Sequence, residues 1–525
     1  MNDAFDLASR MRTWVGRFHR GIRQAWQDAR IVAAAATLAC CLFAAEQYNE
    51  PYRPQFHFSP LINWTNDPCG LVFAFGKYHL FFQYNPFANV WGHMSWGHAV
   101  SSDLVHWKQL PVAIPDDDKV AIFTGSSVVD AENTSGLCQQ AGCIVSIYTG
   151  FTPPTATAPE RQMQNLAYSQ DGLTWTKYSG NPVLDLHRSD TRDPKVFWYA
   201  PARRWIMLIV QANEKKVRFF SSPNLREWQH LSDFGPRGAT GGVWECPNLI
   251  RLPVQGKPGT NRWVLTVGLN PGGVAGGSGE QYFVGDFDGT TFRSGQESIH
   301  WVDYGRDCYC ALTFNHEPKP EAPRMIGWMN NWQYAGDTPT APWRGSMTLP
   351  RSLSLTEDGT LVQQPIEELR ALRGEAFTYE GVSVSDLNRK LANWSHRGQT
   401  FEIEASLWLG EAKHLEWKLD GDEASVGFDA TEGTLYVERK GSFNRAFPSK
   451  TKAPLQLGSK PLQLHIFVDR SSIEVFAQDG ALALTNLVFP KSSSHGLALT
   501  SSGGPLKEIR VSMWALQSAW NGAKQ

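Results

Sequence analysis

One turn motif recurs along this chain and constrains its fold more than any other feature. It has the form Ser-x-Asp-x-x-x-Trp and appears as Ser101, Asp103 and Trp107, then as Ser169, Asp171 and Trp175. It returns with Asn as Ser222, Asn224 and Trp228, and in weaker form as Asp286, Asp288 and Phe292. Asp and Asn suit such a turn because their side chains bond their own backbone in a tight hairpin. Successive copies start 53 to 68 residues apart, which suits a four-stranded blade with variable loops, so the repeat predicts a propeller of four or more blades. Short alternating runs bounded by Gly, Pro, Asn and Asp surround the motif, among them Leu71 to Phe75, Tyr78 to Tyr84, Ile144 to Thr149, Trp205 to Gln211 and Trp263 to Gly268. Helical periodicity is nearly absent after residue 50, and the chain reads as all-β.

A length of 525 residues exceeds what one core serves, and the pattern changes after residue 356. Gln363 to Arg373 reads as the one convincing short helix in the body of the chain. Cleaner alternation follows: Phe401, Ile403, Ala405 and Leu407 face one way, and Glu402, Glu404, Ser406 and Trp408 the other. Period-2 patterning over several strands without the blade motif predicts an appended β-sandwich. The resulting division is a signal peptide or N-terminal anchor over 1–45, a propeller carrying the candidate site over 46–362, a linker helix region over 363–380 and a β-sandwich over 381–525.

The basic segment Met1 to Arg30 leads into the apolar run Ile31 to Ala45. That run is shorter than the about 20 residues needed to span a bilayer as a helix, but it matches a signal-peptide core. Secretion with cleavage near Ala45 is the first reading, and retention as a membrane anchor the alternative. Cys138 and Cys143 flank a short loop and suit a disulfide in an oxidising compartment. Cys69, Cys246, Cys308 and Cys310 read as buried small hydrophobes, and no cysteine has zinc-site spacing. With 49 Lys and Arg against 51 Asp and Glu, the chain lacks the basic footprint of a nucleic-acid binder.

Three acids stand out, each followed closely by Pro: Asp67 in Asn66-Asp67-Pro68, Asp193 in Arg192-Asp193-Pro194 and Glu245 in Trp244-Glu245-Cys246-Pro247. Proline fixes the local backbone, so these carboxylates are expected on stiff turns in separate blades around one axial funnel. Cleaving a glycosidic bond requires two carboxyl groups of unequal pKa. The apolar neighbours Trp244 and Cys246 predict a raised pKa for Glu245. Backbone donors after Pro68 predict a charged Asp67, and Arg192 with Lys195 predict a charged Asp193 suited to binding sugar hydroxyls.

These three blocks resemble, in the same order, the signature blocks of glycoside hydrolase family 32, the invertases, inulinases and levanases. Gln83-Tyr84-Asn85-Pro86, Trp96-Gly97-His98-Ala99, Phe123-Thr124-Gly125-Ser126, Trp328-Met329-Asn330-Asn331-Trp332 and Val468-Asp469-Arg470-Ser471-Ser472-Ile473-Glu474-Val475-Phe476 are similar to further stretches of the family. The likeness covers about residues 51 to 515. It implies a five-bladed β-propeller followed by a C-terminal β-sandwich, and retaining, exo-acting hydrolysis of β-fructofuranosides such as sucrose, inulin and levan without metal or cofactor. By motif, Asp67 would be the nucleophile, Glu245 the general acid/base and Asp193 a transition-state stabiliser. Asn66, Gln83, Trp91, Ser126, Arg192 and Trp332 would line the subsite for the terminal fructose. The chain departs from the family pattern at Cys69, where Asn is usual, and at Thr65, where Met is usual; neither change removes an acid.

Two other readings share parts of this pattern. A fructosyltransferase would use the same three acids and pass the sugar to another sugar in place of water. A non-catalytic carbohydrate-binding propeller would have no need of a protonated acid. The sandwich is expected to brace the propeller, with glycan binding or homodimer formation as a further role.

Overall fold

The computed structural model describes residues 48–117, 119–139, 142–394, 400–419, 423–490 and 496–520. The expected signal or anchor segment lies outside the described residues, and no helix among them is long and apolar enough to cross a membrane. The repeated motif turns each of the first four blades from its third strand to its fourth. In the first copy the Asp103 carboxylate accepts the backbone N–H groups of Val105 and His106 at 3.0 and 2.8 Å, and the Trp107 indole donates to Leu104 O. Asn224 and Trp228 repeat these bonds on Arg226, Glu227 and Leu225. Asp171 and Asp288 cap their own turns in the same way. The polar residue thus satisfies the turn amides, and the aromatic residue returns the chain to the sheet.

Five antiparallel sheets of this kind form the propeller. Their first strands are Asn63–Ala74, Ala121–Asp130, Thr191–Tyr199, Val243–Pro253 and Tyr309–Thr313. The ring closes where Trp343–Arg344 adds to the first blade in parallel with Asn63 and Trp64, and where Val72 bridges Asn315 of the fifth. Side chains then tie the first strands to one another. The Ser126 hydroxyl accepts Val196 N–H at 2.8 Å, the Asn315 amide donates to Ser127 O and Val196 O, and the Lys195 ammonium donates to Thr313 O.

Each of these five strands carries a register break against its neighbour. The breaks fall between Thr65 and Pro68, Ile122 and Gly125, Arg192 and Lys195, Glu245 and Asn248, and Tyr309 and Leu312. Such β-bulges insert unpaired residues and re-aim side chains. Pro68, Pro194 and Pro247 are tolerated inside strands because they stand at these breaks, where a ladder donor is not required. The acids expected on turns are therefore on the bulges of strands. Gly70, with φ of +55° just beyond the first bulge, has no room for a Cβ, which would meet Phe81, Ser127 and Trp96 within 2.7 Å.

The helix expected over Gln363 to Arg373 is not formed. Leu361–Pro365 is the last strand of the fifth blade, Glu367–Leu372 is a 3-10 turn, and Arg373–Gly381 already belongs to the sandwich. Pro365 stops an α-helix from starting earlier, and Leu369 and Leu372 are buried from a single tight turn. The α-helix lies instead at Val384–Trp394, where Leu387, Leu391 and Trp394 bury one face. The sandwich packs a six-stranded sheet, which includes Phe401–Trp408 and Leu462–Asp469, on a five-stranded one around a single apolar core.

Buried charge joins sandwich to propeller. Arg351 donates to Asp303 and Glu474, and Arg439 to Asp307 and Tyr334. His57 sits between Asp469 at 2.8 Å and Glu474 at 2.9 Å, all three side chains fully buried. Burial alone would lower the His57 pKa, but its bonds to the two carboxylates raise it to about 9. A folded-state value above the ordinary 6.5 means that charging His57 stabilises the fold below pH 6.5, and that this contribution is lost as pH rises through about 9. We predict that His57→Gln costs about 3–5 kcal/mol at pH 6 by leaving buried carboxylates uncompensated. Urea unfolding should show the gap from wild type narrowing between pH 6.5 and 9; a gap independent of pH would contradict this.

Candidate active site

The five bulges bring one working group each to the axis. Asp67, Asp193 and Glu245 come from the first, third and fourth blades, and Thr124 and Tyr309 from the second and fifth. The Thr124 hydroxyl donates to Asp67 Oδ2 at 2.7 Å. Asp67 Oδ1 is buried and has no hydrogen-bond partner among the described residues. Asp193 takes a left-handed backbone with φ of 64°; its N–H donates to the Thr149 hydroxyl, and its Oδ2 accepts Cys246 N–H at 2.9 Å. Glu245 is clasped on both sides. Arg192 donates to its Oε1 through Nε at 3.2 Å and Nη2 at 3.0 Å, and the Tyr309 hydroxyl donates to its Oε2. Arg192 itself leans on Gln162.

Electrostatics here differ from the expectation in two respects. The apolar setting foreseen for Glu245 is absent. Trp244 is buried on the opposite face of the strand with its indole bonded to Ala239 O, and the Glu245 carboxylate, 21% exposed, meets a guanidinium and a phenol. Burial perturbs Asp67 and Asp193. Desolvation pushes Asp67 up to about 6, against the Thr124 bond and with help from the charge of Glu245. Desolvation likewise pushes Asp193 up to about 7, opposed by Arg192 and reinforced by Glu245. Lys195 gives Asp193 no support, because its ammonium is turned to Thr313 O and burial lowers its own pKa to about 7. The charge of Glu245 thus acts on both buried acids in the same direction.

The remaining predicted residues divide into wall and scaffold. Trp332 stacks on Trp64 at 6.0 Å, and Trp91 stands half-exposed on the loop after Lys77–Asn85 with its ring edge-on to Phe123. Asn66 accepts the Trp64 indole N–H and supports the Asp67 carboxylate. Gln83 lies behind the strand that carries Asp67, donating to Cys69 Sγ at 3.5 Å, and Ser126 is committed to the Val196 amide. Residue-level reading missed Thr124, Tyr309, Thr149 and Gln162. Thr124 lies two residues before Ser126 in a stretch singled out above, but a hydroxyl carries too little sequence signal to be ranked. Cys138 and Cys143 are bonded as expected. Cys246 and Cys310, read as separate buried hydrophobes, are also bonded, because the bulges of the fourth and fifth blades place them side by side. Cys69 and Cys308 are free and buried.

A cavity of about 380 Å³ also opens where the 3-10 turn meets the sandwich, lined by Glu402, Glu404 and His465. Glu402 and Glu404 are already bonded to Arg373, and Glu402 also to His465, and none of the three axial acids reaches the cavity.

Residues 57–365 match the family described as glycosyl hydrolases family 32 N-terminal domain, and residues 368–515 match glycosyl hydrolases family 32 C terminal. A levanase of Bacillus subtilis (strain 168) is 43% identical over 509 residues, covering 92% of this chain and 73% of that protein. An extracellular exo-inulinase of Aspergillus awamori is 39% identical over 523 residues, covering 91% and 97%. A solved β-fructofuranosidase from Schwanniomyces occidentalis, complexed with fructosyl-erythritol, superposes with a TM-score of 0.79 at 31% identity, covering 90% of this chain and 99% of that one.

A group that attacks through Asp67 must first be ionised, so kcat/KM is expected to fall as pH drops through about 6. Thr124→Val removes a donor that favours the carboxylate, and should move that acid limb upward by roughly 0.5–1 pH unit. A limb left in place would show that another group controls it.

Proposed function

The chain belongs to glycosyl hydrolase family 32 across both of its matched segments, and on that premise we propose that Asp67, Glu245 and Asp193 divide the chemistry of fructoside hydrolysis among them. The protein is a glycoside hydrolase, an exo-acting β-fructofuranosidase of fructans and sucrose. The observation that carries the division of labour is the contrast between Asp67 and Glu245. Asp67 is buried, with one oxygen fixed by Thr124 and the other unpartnered among the described residues. Glu245 is the most exposed of the three and is aimed by Arg192 and Tyr309.

In this reading Asp67 Oδ1 attacks the anomeric carbon of a terminal fructose. Glu245 gives its proton to the departing oxygen, breaking the glycosidic bond as the fructosyl ester forms. Glu245 then takes a proton from water, which attacks the same carbon and frees Asp67. Two displacements retain the anomeric configuration. Exposure suits Glu245 to this work, since leaving group and water both pass on its side. Asp193, held rigidly by Thr149 and Cys246, is placed to bond the sugar's hydroxyls as charge develops on the ring. Trp332 and Trp91 offer ring faces to the apolar side of the sugar, with Asn66 and Arg192 as polar partners. Gln83 and Ser126 act from behind, by holding the strands that carry the acids. Release to the cell exterior accords with the apolar N-terminal run and with the extracellular name of the Aspergillus relative.

Purified protein incubated with sucrose, inulin and levan should release free fructose from each, resolved by ion-exchange chromatography. Glu245→Gln should lower turnover by about 10²–10⁴-fold, and Asp67→Asn at least as much. Proton NMR at early times should show β-fructofuranose as first product. Long oligofructosides in place of fructose would favour transfer, and wild-type rates in either variant would remove the assignment.

A further inference from the structure

The Cys246–Cys310 bridge crosses from the fourth blade to the fifth directly beneath the nucleophile. Both half-cystines are buried, and both stand on bulges with left-handed backbone, φ of 48° and 50°. Their neighbours in sequence are Glu245 and Tyr309, and Cys246 Sγ lies 3.7 Å from Asp67 Oδ2. A carboxylate oxygen of Asp67 and the two sulfurs all lie within 4.8 Å of one another. Two ligands of one tetrahedral zinc-like ion, with metal–sulfur near 2.3 Å and metal–oxygen near 2.0 Å, stand about 3.5 Å apart. The spacing of Asp67 from Cys246 is already close to that separation. No comparable group surrounds the Cys138–Cys143 bridge among the described residues.

We propose that Asp67, Cys246 and Cys310 form a latent site for a soft divalent cation on the floor of the active site, shut by the disulfide and opened when a dithiol reduces it. In the opening step the dithiol gives two electrons and two protons to the bridge. The S–S bond breaks, two thiols form, and the reductant leaves as its own disulfide. A thiophilic cation then displaces the two thiol protons, bonds both sulfurs and takes the Asp67 carboxylate as third ligand. The strands need not move, since the bulges fix both Cα atoms, 5.3 Å apart. With the nucleophile bound to metal, turnover stops. In an oxidising medium the closed bridge keeps such ions off Asp67.

The test uses full-length enzyme and Cd²⁺, with and without prior treatment by dithiothreitol that is removed before metal is added. Thiols are counted in denatured samples, and metal–thiolate bonds are read by their ultraviolet charge-transfer absorption, which does not depend on turnover. Reduced enzyme should bind one Cd²⁺ per chain with that absorption and lose activity at about tenfold or more lower Cd²⁺ than oxidised enzyme. The double variant Cys138→Ser, Cys143→Ser should behave as wild type. Cys310→Ala, relative to its own metal-free state, should bind Cd²⁺ about tenfold or more weakly. Equal sensitivity of oxidised and reduced enzyme would overturn the proposal, as would tight binding by Cys310→Ala. Loss of the fold on reduction would overturn it too, because the bulged strands are what hold the thiols in place.

Discussion

Closing five sheets around one axis is the constraint on which the rest of this structure depends. Five first strands converge there, and each breaks register against its neighbour at least once. A regular strand alternates its side chains between two faces, so it sends only every second residue toward a given neighbour. The bulge interrupts that alternation and lets adjacent residues serve different purposes. Arg192 can clasp the carboxylate of a neighbouring blade while Asp193 accepts that blade's amide. Glu245 can face the funnel while Cys246 bonds across to the fifth blade. The interblade ties through Ser126, Asn315 and Lys195 then hold the bulges at one level. Site rigidity is a property of the ring, and no single loop supplies it.

Crowding three carboxyl groups into this space sets the electrostatics. Burial and mutual repulsion push Asp67 and Asp193 upward, and one guanidinium, Arg192, is shared between Asp193 and Glu245. Asp67 and Asp193 therefore take up protons at a higher pH than ordinary aspartates do. The sandwich contributes at a distance. Its Asp469 and Glu474 pin His57, ten residues before Asp67, so the second domain anchors the segment that leads into the strand carrying Asp67.

Much of this was legible in the sequence, for identifiable reasons. The blade turns were readable because Asp, Asn and Trp there satisfy the turn's own backbone, a local requirement that leaves a local pattern. The acids were readable because each carries a nearby Pro. Their placement was misread, since a Pro inside a strand looks like a turn until the bulge that permits it is seen. The helix expected over Gln363 to Arg373 does not form, because Pro365 stands within it and only a single 3-10 turn follows. Thr124, Tyr309 and the Cys246–Cys310 bond were out of reach, because each depends on which blade lies next to which. The raised pKa values of Asp67 and Asp193 were out of reach for a related reason: sequence neighbours such as Lys195 point elsewhere, and desolvation is set by the whole ring.

The central claim is that Asp67, seated on the first bulge, bonds covalently to fructose. Its most direct test is peptide mass spectrometry of Glu245→Gln protein quenched in acid after brief exposure to a fructoside with a good leaving group, which allows the ester to form and slows its hydrolysis. The account predicts a hexosyl adduct on the peptide containing Asp67 and on no other acid. Absence of any adduct, together with inversion at the anomeric carbon in wild type, would contradict it, as would an adduct on Asp193 or any other residue.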